Sequence, residues 1–84
     1  MMYPFMTLDG DTEIVHSELY KDGRIKVYVE QPTNYGGFNS AICYLPQFEW
    51  SEIVGFTQED LKRFGGILET KSSLLLISAL QHRC

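Results

Sequence analysis

The sequence predicts an α+β domain: an antiparallel sheet of three to four strands, at about residues 3–8, 12–20, 24–31 and 38–45, packed by a C-terminal helix over about residues 58–81. Three observations carry this prediction. Arg24-Ile25-Lys26-Val27-Tyr28-Val29-Glu30 alternates apolar and polar side chains with the period of two that marks a strand with one buried face. Asp9-Gly10-Asp11 and Lys21-Asp22-Gly23 place a glycine and short polar side chains where tight turns need them, at intervals suited to consecutive hairpins. Thr57, followed three residues later by Asp60, is a short capping box at the start of a helix.

The elements follow in order. Residues 3–8 are a short, mostly apolar stretch ended by the first turn, and residues 12–20 resume strand-forming types up to the second. In residues 24–31, Ile25, Val27 and Val29 face one way and Lys26, Tyr28 and Glu30 the other, so the sheet is expected to have a wet side. Gln31-Pro32-Thr33-Asn34-Tyr35-Gly36-Gly37 is loop chemistry. Residues 38–45 form the fourth strand, ended by Pro46, with either face a candidate for burial. Residues 47–55 carry Phe48, Trp50, Ile53 and Val54 at irregular spacing, which suggests a covering loop or a single helical turn that lays aromatics on the sheet edge.

In the helical third, Leu61, Phe64, Leu68, Leu75 and Ala79 share one arc at 100° per residue, and Phe56 and Leu61 sit at the staple positions flanking the cap. Gly65-Gly66 interrupts the pattern and is expected to bend or split the helix, or to let it lie close against the sheet. Beyond it Leu74, Leu75, Leu76, Ile77 and Leu80 spread apolar surface almost all round. One small sheet cannot cover all of that, which points to a homodimer through the C-terminal helix or to a protein partner.

With 84 residues there is room for one domain, residues 1–84, and 44% hydrophobic against 21% charged residues is too apolar for intrinsic disorder. The net charge of −4 is unevenly spread. Residues 1–60 hold ten acids and three bases, a net −7, and residues 61–84 hold one acid and four bases, a net +3. An acidic sheet repels phosphates, and Lys62, Arg63, Lys71 and Arg83 scatter around the helix axis, so direct nucleic-acid binding is not expected. Two cysteines, the absence of a basic-then-apolar leader and the absence of a membrane-length run lead to the expectation of a cytoplasmic protein without membrane association.

No catalytic, cofactor or metal site is expected. Asp9, Asp11 and Glu13 alternate as in a calcium loop, but Ile14 replaces the required glycine and Tyr20 the terminal glutamate. Cys43 and His16 have the chemistry of a nucleophile and base, but Cys43 lies mid-strand among Ile42, Tyr44 and Leu45, where cysteine is a small core residue. His82 and Cys84 are two ligand types without the rest of a site, and the glycine pairs match neither phosphate-binding motif. The candidate residues are instead recognition types: Tyr28, Tyr35, Phe48 and Trp50 around the long loop and strand ends, and Leu76 and Leu80 on the last helix.

Tyr3-Pro4-Phe5-Met6-Thr7-Leu8, Thr12-Glu13-Ile14-Val15-His16-Ser17-Glu18, the Asp22-Gly23 turn, Lys26-Val27-Tyr28-Val29-Glu30, Gly37-Phe38 and Val54-Gly55-Phe56-Thr57 together resemble a family of small uncharacterised proteins of Gram-positive bacterial mobile elements. The resemblance covers about residues 3–68 and stops before the leucine-rich run. It implies a setting, an accessory or interaction protein of a mobile element, without an enzymatic activity. The strand order, the Leu45-Pro46 strand exit and the capped helix at Thr57 are also similar to HicB-type antitoxins. That likeness implies the alternative of an antitoxin or anti-defence inhibitor, whose acidic face would block a nucleic-acid-binding protein.

Overall fold

Five strands form, one more than the sequence reading allows at most. In the computed structural model, which describes residues 2–81, they are β1 (Met2–Leu8), β2 (Thr12–Ser17), β3 (Ile25–Pro32), β4 (Phe38–Leu45) and β5 (Glu49–Val54), followed by α1 (Gln58–Thr70) and α2 (Ser72–Leu80). The sheet is an antiparallel meander in the order β1-β2-β3-β4-β5. The first turn forms as its residues require: Asp9 and Gly10 both take positive φ, at 53° and 81°, and the Asp11 N–H donates to the Leu8 carbonyl at 3.2 Å. Strand β2 ends at Ser17 rather than at residue 20. Ser17 caps the strand end instead, its hydroxyl donating to the Glu18 carbonyl and accepting from the Lys26 N–H.

Residues 47–55 correct the expectation of a loop or helical turn. They complete a hairpin, with Tyr44 opposite Glu49 and Cys43 opposite Trp50. The register then slips between Ser40 and Ile42, where β5 carries an extra residue, and Glu52 takes φ 50° at this bulge. The extra residue is what spoiled the alternation in the sequence.

One row of residues crosses all five strands on the helix-facing side: Tyr3, His16, Val27, Cys43 and Trp50. Its neighbours Ile14, Val29, Ala41, Ile25 and Leu45 complete the sheet half of the core, against Phe56, Leu61, Phe64, Leu68, Leu75 and Ala79 from the helical part. The buried face of β4 is therefore the one carrying Ala41, Cys43 and Leu45. Ile42 points the other way and is still shielded, beside Tyr28 and Lys26 on the open side of the sheet.

Helix α1 begins as the capping box dictates. The Asp60 N–H donates to Thr57 Oγ1 at 3.2 Å and the Thr57 N–H to Asp60 Oδ2 at 2.9 Å, while Phe56 meets Phe64 edge-on at 5.0 Å. The helix continues through Gly65-Gly66 without a break, so the expected split does not fall there. A Cβ at either position would meet nothing within 4 Å, so neither glycine serves a close approach to the sheet. The chain breaks at Lys71 instead (φ −100°, ψ 8°). There Thr70 Oγ1 donates to the Gly66 carbonyl and Ser72 Oγ to the Glu69 carbonyl, side chains competing with the backbone where the helix turns. Among the described residues no helix is long and apolar enough to cross a membrane.

Candidate interaction surface

Nine residues without a single charge, Ser-Ser-Leu-Leu-Leu-Ile-Ser-Ala-Leu, make up α2. Leu75 and Ala79 lie fully buried against the sheet, and the Ser78 hydroxyl pairs with Nε2 of His16 at 2.8 Å. His16 is itself buried, and its Nδ1 donates to the Ser17 carbonyl at 2.7 Å; in that tautomer Nε2 accepts the Ser78 proton. These contacts leave the outer arc of α2 in solvent. Leu74, Leu76, Ile77 and Leu80 are 52%, 44%, 55% and 41% exposed.

Phe48 joins this arc to the sheet. It closes the β4–β5 turn with φ 59°, a left-handed conformation that normally falls to glycine or asparagine, and its ring packs on the core. Two hollows flank it. One, of about 320 Å³, runs between Ile25, Leu45, Pro46, Phe48 and the Ser73–Leu76 side of α2. The other lies between Phe48, Trp50 and α1, with Leu61, Gly65 and Gly66 as its far wall. The two glycines thus leave room for a groove on the α1 surface.

Of the residues singled out in the sequence, Phe48, Trp50, Leu76 and Leu80 fall on this helix-side surface. Tyr28 does not: it stands on the open face of the sheet and donates to Glu30 Oε2 at 3.2 Å. Tyr35 is separate again, 97% exposed in the β3–β4 loop. Pro46, Gly65 and Gly66 were missed as surface-forming residues, because what they line is created by the β4–β5 turn and α1 coming together. His16 and Cys43 share a row and a face, but Val27 stands between them, two strand spacings or about 9.5 Å of separation. Burial pushes the Cys43 thiol up to about 11. Among the described residues no group of three or more His, Cys, Asp or Glu is placed to hold a metal ion. The pairing of His82 with Cys84 lies outside the described residues.

The acidic residues are not spread evenly over the sheet. Glu13 and Glu30 face each other directly across β2 and β3 on the open side, with Thr7 and Ser40 as their row neighbours. Elsewhere charges offset: Asp9 pairs with Arg63 of α1 at 2.9 Å, Asp22 with Arg24 at 2.7 Å, and the Arg24 guanidinium also lies over the Tyr44 ring. The Arg24 N–H, then its side chain, hold the Asp22 carboxyl below its usual range. Compared with known proteins, the chain matches no family model, no curated protein and no solved structure.

Proposed function

We propose that this chain is a non-enzymatic interaction protein, acting as an accessory protein of a bacterial mobile element in the setting its sequence resemblance implies, and that it binds protein through the outer face of α2 and the hollows beside Phe48. The observation that carries this reading is the row of four half-exposed aliphatic side chains on α2. Fully burying one such side chain is worth about 1.5–3 kcal/mol, so covering four that are already half buried offers about 3–6 kcal/mol per chain. That is comparable with the lower part of the roughly 4–15 kcal/mol that association costs, and the hollows add to it. The strained Phe48 backbone supports the same place, since such conformations gather at binding sites.

Site-specific photo-crosslinking in the native host tests the proposal. A photoreactive residue at Leu76 is expected to give discrete protein adducts, and one at Tyr28, on the opposite face of the sheet, is not. Adducts from Tyr28 with none from Leu76 would overturn the assignment.

The antitoxin or inhibitor reading draws support from a different observation. Glu13 and Glu30 directly opposite one another destabilise the sheet, by up to roughly 1 kcal/mol for such a pair, which makes sense if the pair serves a basic partner. Under this reading Tyr28, two residues from Glu30, gives the adducts, and Glu30→Lys abolishes them.

A further inference from the structure

We infer, building on the α2 reading above, that the occupant of this face is a second copy of the chain, packed about a two-fold axis with the two α2 helices antiparallel. In this arrangement Leu80 of each copy lies against Ser73 of the other and fills its Phe48 hollow.

The argument starts from spacing. At 100° per residue, Ser73, Leu76, Ile77 and Leu80 share one arc of α2, away from Leu75 and Ala79, which face the sheet. Positions 73, 76, 77 and 80 repeat as the seam of a short helix pair does. Side-chain size then selects direction. A parallel pair sets Ser73 against Ser73 and leaves a void at that end. An antiparallel pair centred between Leu76 and Ile77 sets small against large at both ends, and one two-fold axis satisfies both.

The hollow lies at the matching end. Ser73 and Leu76 form its α2 wall, opposite Ile25, Leu45, Pro46 and Phe48. That is where antiparallel packing delivers the incoming Leu80. A cavity of about 150 Å³ already holds a benzene, so 320 Å³ accepts a leucine side chain.

Charge favours a copy of the same chain over a charged partner. Two molecules of net charge −4 repel, but α2 itself carries no charge to add to that repulsion. The sheet edges offer no competing route. Pro4 and a register slip interrupt β1, and the bulge at Glu52 interrupts β5, both devices that discourage strand-to-strand pairing. A standard interface covers about 800 Å² per partner. That is roughly a seventh of the 5388 Å² surface, more than the half-exposed side chains of α2 present by themselves, so the dimer is a small and weak one.

Sedimentation of the purified chain, combined with disulfide trapping in a Cys84→Ser background, tests this; Cys43 is buried and does not interfere. The expected results are a dimer that dissociates on dilution, loss of that dimer in Leu80→Glu, and retention in Tyr35→Glu, an exposed position in the β3–β4 loop away from α2. Ile77→Cys should crosslink to itself. Ser73→Cys mixed with Leu80→Cys should crosslink strongly, whereas neither should do so alone, because antiparallel packing holds identical end residues about 10 Å apart along the axis. Ser73→Cys crosslinking efficiently to itself, a dimer that survives Leu80→Glu, or a monomer at every concentration would overturn the proposal. A monomer that still gives Leu76 photo-adducts to a different protein would overturn the self-association alone and leave the interaction reading standing.

Discussion

Replacing Gly65 and Gly66 by alanine should stabilise the fold. Both lie inside α1, at its eighth and ninth residues, between the buried anchors Phe64 and Leu68. Glycine inside a helix costs about 0.8–1.0 kcal/mol relative to alanine, chiefly through the freedom it has in the unfolded chain. The gain is realised only if the new Cβ fits, and at both positions a Cβ would meet nothing within 4 Å. The double substitution is therefore expected to add about 1.5–2 kcal/mol. For a domain of this size 1 kcal/mol moves Tm by about 4–8 °C, so a rise of roughly 6–16 °C should be seen. Urea unfolding at one fixed protein concentration, so that association contributes alike to both proteins, should show a higher midpoint with an unchanged m value. Destabilisation by either single substitution would refute the reasoning, since it would mean that the glycines meet packing constraints at the α1 surface. The two methyl groups also narrow the groove facing Phe48 and Trp50. If that groove takes part in binding, photo-adduct yield from a probe at Trp50 should fall while stability rises, the trade-off expected where a sequence holds a site open.

Three further outcomes follow from the geometry. Gly55, at φ 83°, is backed by the Asn39 side chain, which a Cβ would strike, so Gly55→Ala should cost about 2 kcal/mol or more; adding Asn39→Ala should recover only the steric part and leave about 1–2 kcal/mol of left-handed backbone cost, read in a double-mutant denaturation cycle. Ser78→Ala removes the hydrogen bond that ties α2 to buried His16 and should cost about 1–2 kcal/mol, with amide exchange rising first in residues 72–81 rather than in β3. Cys43, its thiol raised by burial, should resist alkylation in the folded chain and react on unfolding. The unfolded thiol ionises near its ordinary value and the folded one only near 11, so this residue's contribution to stability is present below pH 9 and declines as pH rises from about 9 toward 11; Cys43→Ala should flatten that alkaline decline.

The parts of the fold legible in the sequence are those where one local rule acts alone. Ile25, Val27 and Val29 are buried because strict alternation leaves them one place to go, and the Thr57–Asp60 capping box sets the start of α1 by local hydrogen bonds. Strand β5 was hidden because two local rules are broken in it. Phe48 adopts a turn conformation that its bulk disfavours, and the extra residue at Glu52 shifts the period of Trp50, Ile53 and Val54. Propensity alone marks the glycine pair as the place for a bend, a break or a close approach. The operative signal is weaker, the Thr70-Lys71-Ser72 run, in which the Thr70 and Ser72 hydroxyls reach back to carbonyls of α1. For the surface, Leu76 and Leu80 were legible from apolar residues on too many sides of one helix. The hollows beside Phe48 were not, since their walls come from a turn and two helices that only the folded chain brings together.

The two large faces of the molecule differ in how far they are finished. On the open side of the sheet Ile42 is apolar but only 5% exposed, because Tyr28 and Lys26 lie beside it and Arg24 covers Tyr44. Amphipathic side chains there present polar tips to water and apolar bodies to their neighbours, which is how a permanently wet surface is built. The outer arc of α2 has no such cover. Its side chains are Ser73 and aliphatics, with no lysine, arginine or glutamate between residues 72 and 80 to shield them. Its N-cap, Lys71, makes no side-chain capping bond, so this nine-residue helix depends on packing for its stability. Among the described residues, inward packing buries Leu75 and Ala79 and adds the Ser78–His16 bond. A contact that covers the outer arc therefore completes the helix as well as hiding its leucines, so the ordering of α2 and the occupancy of its outer face should rise and fall together.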